Sequence, residues 1–170
     1  MPAKKITLEQ SKEDKLFYVV ANVVVYRASD QRCLLLKRSN SEKVHPNKYA
    51  VCGGKLEWSD LDINNPTRVN GDVLDYEDAV QSLLDREVFE EAGIKIKKGL
   101  KYINNVAYIR PDGIPVLLIK FAAEYLSGEV VLEKGSFTDH IWVSTSEVKN
   151  LECIKGVPEE IIQTIKFFNE

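Results

Sequence analysis

The sequence predicts an α/β sandwich around a mixed β-sheet, and three observations carry that expectation. Stretches rich in Val and Tyr, above all Phe17 to Tyr26, read as strands on both sides of one central helix. In that helix Val80, Leu83 and Leu84 recur at helical spacing and mark a core-facing stripe. A last amphipathic run, Pro158 to Phe168, opens with proline, which suits a first helical turn, and closes the chain as a second helix.

Taken in order, residues 1–15 are polar and predict a loose arm. Phe17 to Arg27 predicts a long strand, Ala28-Ser29-Asp30-Gln31 a turn, and Cys33 to Lys37 the returning strand of a hairpin. Residues 39–48, with Asn40, Pro46 and Asn47, read as a loop, and Tyr49 to Cys52 as a short strand running into Gly53-Gly54. Residues 58–75 carry Asp, Asn, Pro and Gly throughout, which predicts a long excursion. The central helix follows, from Asp75 or Tyr76 to Ala92, and Gly93 ends it before Ile94-Lys95-Ile96, which alternates like a strand. Lys101 to Ile109 and Ile114 to Tyr125 form a hairpin about Arg110-Pro111-Asp112-Gly113, with a further tight turn at Ser127-Gly128. Ile141 to Ser144 reads as a short strand and Thr145 to Leu151 as a short helix.

At 170 residues the chain fits one domain, 1–170, and 44% hydrophobic with 29% charged content is ordinary for a soluble globular protein. A net charge of −3 with no long basic run argues against a nucleic-acid polymer as partner. It leaves a nucleotide open, because a bound metal can bridge acidic side chains to phosphates. The N-terminus has no apolar signal core, and the longest apolar run, Phe17 to Tyr26, is too short to span a bilayer. Cys33, Cys52 and Cys153 are odd in number and far apart, so neither a disulfide framework nor a zinc site is expected and a cytoplasmic location is the default.

The chemistry concentrates in Arg86-Glu87-Val88-Phe89-Glu90-Glu91-Ala92-Gly93-Ile94. Glu87, Glu90 and Glu91 fall at i, i+3 and i+4, on one side of the helix. Extending the stripe of Val80, Leu83 and Leu84 lands on positions 87, 88 and 91, two of which hold carboxylates where core residues would stand. Like charges crowded on a core-facing stripe repel unless a cation neutralises them, and clustered hard oxygens select Mg²⁺ or a similar divalent ion. The competing reading is a solvated acidic face. Against it, the carboxylates continue the apolar stripe, and Gly93 stops the helix sharply against a strand.

Together, Gly54 and the run from Arg86 to Ile94 resemble the signature of the Nudix hydrolase family, G-x5-E-x7-R-E-U-x-E-E-x-G-U, with U a bulky aliphatic residue. The second half matches at every specified position. Leu34 to Arg38, Gly53 to Glu57 and Trp142-Val143 resemble flanking elements, so the likeness covers most of residues 17–150. It implies an α/β/α sandwich with a central mixed β-sheet, and hydrolysis of a nucleoside diphosphate linked to another group, with Mg²⁺ or Mn²⁺ and a small nucleotide-type substrate. By position Glu87, Glu90 and Glu91 would be metal ligands or their immediate partners, a carbonyl of the Gly53-Gly54 turn (Gly54) a further ligand, and Arg86 a carboxylate-orienting residue. Glu91 and Glu133 are the candidates to take a proton, Glu133 standing where family members place a late catalytic glutamate; Glu124 and Asp139 compete with it. Arg38, Lys55 and Glu57 are candidates to hold substrate. Tyr26, Tyr102, Tyr108 and Phe121 are candidates to stack on a base, with core packing as the alternative.

The resemblance departs in one place. Gly54 and Arg86 are 32 positions apart where the family has fourteen, an insertion of eighteen. The first glutamate of the pattern is therefore open between Asp60, Asp78 and Glu77. The inserted segment is expected on the surface, as a lid over the substrate or a contact to a second subunit in a homodimer. Cys52 stands where many members carry proline. Cys52 and His45-Pro46 also resemble the catalytic cysteine and the preceding loop of an isomerase of the isopentenyl-diphosphate type, and a silent nucleotide-binding sensor is a third reading. The intact glutamate set favours hydrolysis over both.

Overall fold

In the computed structural model, which describes residues 1–170, the Val-rich strand β1 (Tyr18–Arg27) runs through the middle of the sheet. Its side chains alternate, Ala21, Val23 and Val25 entering one core and Val24 and Tyr26 the other. A strand covered on both faces needs apolar residues at nearly every position, and β1 has them. The remaining strands of the sheet are β2 (Arg32–Arg38), β3 (Tyr49–Ala50), β4 (Cys52–Lys55), β7 (Lys95–Ile96), β8 (Lys101–Ile109), β9 (Pro115–Ser127) and β10 (Phe137–Val143). The main path is β10-β2-β1-β9-β7, with β3 on β2, β4 on β1 and β8 on β9. Only β1 and β9 pair in parallel, which makes the sheet mixed.

Helix α1 (Ala79–Ala92) buries Leu83, Leu84 and Val88 on one face, and α2 (Val157–Asn169) buries Ile161 and Ile165 on the other. This is the expected sandwich. Tyr26 ties α2 to the sheet: its ring stacks on Phe168 at 4.8 Å and its hydroxyl donates to Asn169 at 2.7 Å. No helix is long and apolar enough to cross a membrane.

One edge of β1 is shared. Tyr26 and Arg27 pair with β2, whereas Val20 to Val23 pair with β4. Gly53 and Gly54 thus lie within the sheet beneath α1, and this is what positions the site.

The structure corrects several boundaries. Helix α1 begins at Ala79, not at 75 or 76, because Val73–Asp75 forms a strand, β6, paired with β5 (Arg68–Asn70) in a separate hairpin turned at Gly71. Asp78 precedes the helix in the left-handed region at φ 54°, a conformation that Asp tolerates better than most residues. Residues 58–75 are therefore a surface excursion containing a hairpin and one 3₁₀ turn, Trp58–Asp60. Strand β10 starts at Phe137, earlier than the expected Ile141, because the Phe137 side chain enters the core. The helix expected over 145–151 shrinks to the 3₁₀ turn Val148–Asn150, since Cys153 already bridges back to Tyr49.

Candidate active site

The last turns of α1 bring Arg86, Glu87, Glu90 and Glu91 over the Gly53-Gly54 segment. Arg86 is the hub: one guanidinium nitrogen lies 2.8 Å from Glu87 and 3.2 Å from Glu90, and the other 3.2 Å from Asp60. The second oxygen of Asp60 accepts the Glu57 N–H at 2.8 Å, so the residue spans from its own turn to the helix. Of the three acidic residues the sequence left open, Asp60 is the one that reaches Arg86. Glu77 pairs instead with Arg68 at 2.9 Å, and Asp78 is exposed where the helix starts.

Glu91 has a different setting. Its carboxylate accepts the Gly53 N–H at 3.0 Å. Burial raises its pKa to about 8, the charges of Glu87 and Glu133 add to the rise, and the Gly53 N–H and the Cys52 thiol oppose it. Glu87 is also raised, by burial first, with Arg86 opposing. Val88, between them on the stripe, is fully in the core.

Glu133 is far from Glu91 in sequence, and helix-end chemistry brings it near. A helix leaves its last carbonyls without partners. Here the Val131 N–H donates to Ala92 at 2.9 Å and the Glu133 N–H to the Glu91 carbonyl at 3.0 Å, which fastens the loop to the end of α1. Gly93, at φ 68°, makes the turn, and a side chain there would press on Val131. The competitors of Glu133 are engaged elsewhere: Glu124 pairs with Lys97 at 2.6 Å and Asp139 accepts the Tyr49 hydroxyl at 3.3 Å.

The donor set suits a hard divalent cation, being carboxylate oxygens packed against the Gly53-Gly54 backbone. Gly54 keeps the cradle open, since a Cβ there would fall 2.2–2.6 Å from the carboxyl atoms of Glu87. The carboxylates do not meet at one point: Glu87 and Glu90 lean on Arg86, Glu91 leans on Gly53, and no three acidic side chains form a ligand group. An ion would have to draw them off these partners.

Among the other candidates, Arg38 does not join the cluster; its guanidinium is held by Glu42 and by the Val44 carbonyl at 2.9 Å. Lys55 and Glu57 line a cavity of about 810 Å³ together with Phe17, Tyr18 and Trp58. Sequence reasoning passed over those three aromatics. The available signal was Trp58, the one aromatic residue in the turn-rich segment 58–75. Tyr26 is core and Phe121 half-buried, while Tyr102 and Tyr108 are exposed on β8. Cys52 is 2% exposed, and burial, reinforced by Glu91, raises its pKa well above the ordinary value.

The family model of the NUDIX domain matches residues 16–165. A curated relative, the NAD-capped RNA hydrolase NudC of Haemophilus influenzae, is 39% identical over 69 residues, which cover 41% of this chain and 23% of the relative. The match thus spans less than a quarter of that protein's length. The MutT protein of Methanosarcina mazei Go1 is similar with a TM-score of 0.62 at 19% identity, covering 94% of this chain and 99% of that one. The NUDIX domain of Shewanella oneidensis NrtR, complexed with ADP ribose, gives 0.63 at 14% identity, covering 95% and 94%. At these identities the structural likeness speaks for the fold.

Proposed function

From the premise that this chain belongs to the NUDIX domain family, we propose that it hydrolyses the diphosphate link of a nucleoside diphosphate joined to another group, with Mg²⁺ or Mn²⁺ as cofactor. The observation that carries this reading is the set of carboxylates on the last turns of α1, two of which, Glu87 and Glu91, pack against the Gly53-Gly54 segment. A divalent ion held by Glu87, Glu90, Glu91 and the Gly54 carbonyl would supply Lewis acidity and a more acidic bound water. The chain's own residues do the rest. Arg86 holds Glu87 and Glu90, and Asp60 holds Arg86. Glu133, exposed beside Glu91, takes the proton of the attacking water as the bridging P–O bond breaks. Exposed Lys55, next to Gly54, meets the phosphate charge.

NAD and ADP-ribose, which appear in the names of the similar proteins, each carry a diphosphate between two sugar-bearing groups. They head the list of substrates to try. The isomerase reading loses its main support, because the Cys52 thiol is sealed in the core beside Glu91.

The test is chromatography of products from NAD, ADP-ribose, nucleoside triphosphates and dinucleoside polyphosphates with either metal. At least one should be cleaved at its diphosphate, chelation should abolish the reaction, and Glu91→Gln should lower the rate by about 100-fold or more. An unchanged rate in both Glu91→Gln and Glu90→Gln would overturn the assignment.

A further inference from the structure

The 810 Å³ cavity sits where β1 and β9 begin and β4 ends, at Tyr18, Pro115 and Lys55. One wall is the N-terminal arm, through Leu8, Leu16 and Phe17, and the other is the base of the inserted segment, through Trp58 and Leu61. Two short stretches of backbone lead from it to residues that touch the carboxylate cluster. Lys55 follows Gly54, which packs on Glu87, and Trp58 shares a 3₁₀ turn with Asp60, which holds Arg86. Phe17, Tyr18 and Trp58 remain 50%, 45% and 54% exposed although they line a concave surface. Arg110 stands 5.9 Å over the Tyr18 ring, and the aromatic surface that remains exposed around the cavity lowers its free energy if a flat apolar surface covers it. The charged groups at the cavity, Lys55, Glu57 and Glu13, are few against that apolar lining. A flat body fits the apolar lining with its ring on the aromatics, and Lys55, the single cation of the lining against Glu13 and Glu57, is the one group there that can meet an anionic end.

We propose that this cavity binds a planar heterocyclic ring of the nucleotide substrate on the aromatic surface of Phe17, Tyr18 and Trp58, with the diphosphate running past Lys55 toward the carboxylate cluster. The proposal rests on the hydrolytic reading for the fate of the diphosphate, but not for the binding of the ring. The N-terminal arm and the inserted segment become the two jaws of a ring site, which gives the insertion a role in substrate choice.

Two measurements test it. The chain has two tryptophans, and Trp142→Phe leaves Trp58 as the reporter; the difference spectrum between the native chain and Trp58→Leu isolates the same signal should that variant not fold. AMP, added without metal, should quench Trp58 emission saturably, and ribose 5-phosphate, which lacks the ring, should not. For whichever nucleotide the substrate panel shows to be cleaved, Trp58→Leu should raise KM roughly 5- to 150-fold, the range expected for one lost stacking contact, with kcat within about twofold. No response to AMP, an equal response to ribose 5-phosphate, or an unchanged KM overturns the ring site. If nothing is cleaved but AMP still quenches Trp58, the ring site stands and the hydrolytic reading falls. If cleavage depends on Glu91 while Trp58 is silent, the reverse holds.

Discussion

Glu87, Glu90, Glu91 and Glu133 carry the same functional group in four surroundings, and the differences assign them different behaviour. Glu90 is an exposed partner of Arg86, Glu87 a half-buried one, and Glu91 a half-buried residue whose carboxyl is more deeply enclosed than that of Glu87 and accepts a backbone N–H. Glu91 has a folded pKa of about 8 against an ordinary 4.5. In the unfolded chain it loses its proton near 4.5; in the folded chain it keeps it to about 8. The folded state therefore binds more protons across that window, and stability falls as pH rises through it. In chelator the melting temperature should drop between pH 5 and 8, Glu91→Gln should flatten that drop, and Mg²⁺ should raise Tm more at pH 8 than at pH 5. Scanning calorimetry on the two proteins decides it, and an equal slope in both would refute the assignment. Glu133 is exposed and outside the core, so its loss should spare the fold. Glu133→Gln should cost about 10²–10⁴ in kcat with metal affinity nearly unchanged. A loss under about threefold would return it to a surface residue.

At the scale of elements, β4 shows how two adjacent glycines can be required for unrelated reasons. A Cβ on Gly53 would lie 2.4 Å from the Ala21 carbonyl, part of the β1 backbone, which cannot step aside. A Cβ on Gly54 would meet the Glu87 side chain, which can rotate. Gly53→Ala should therefore lower stability, by about 1–3 kcal/mol as for other overpacked sites. Gly54→Ala should leave the urea midpoint nearly unchanged but lower Mg²⁺ affinity and rate, because it displaces Glu87. Similar denaturation midpoints for the two variants would contradict this division.

Across the whole molecule, the two helical layers are fixed to one sheet by different means. Helix α1 is held by apolar packing and by its carboxylate end. Helix α2 adds an ion pair between Lys120 on β9 and Glu160 in its first turn, with the Glu160 side chain 5% exposed. Burial raises the Glu160 pKa and Lys120 opposes the rise. A buried pair contributes little net stability, but removing one partner strands the other charge. Lys120→Met alone should cost about 3–5 kcal/mol in urea unfolding, and adding Glu160→Leu should recover most of it. Additive losses in that double-mutant cycle would show that the two charges are not coupled.

What the sequence determined by itself is local. The strand in Phe17 to Tyr26, the stripe of α1, the stop at Gly93 and the hairpin at Asp112-Gly113 are all legible because each follows from the period or turn chemistry of neighbouring residues. The grouping of Glu87, Glu90 and Glu91 was legible for the same reason, being one helix face. Tertiary structure alone decided what depends on distant chain segments. It set Asp60 rather than Asp78 against Arg86, because the inserted segment folds back as its own hairpin and leaves its base at the helix. It brought Glu133 to Glu91, because unpaired helix-end carbonyls recruited that loop. It gathered Phe17, Tyr18 and Trp58 from two separate stretches around one cavity. Periodicity reports which side of an element faces the core, but it carries no information on which other element arrives there; that is settled by burial and hydrogen-bond closure in the assembled fold.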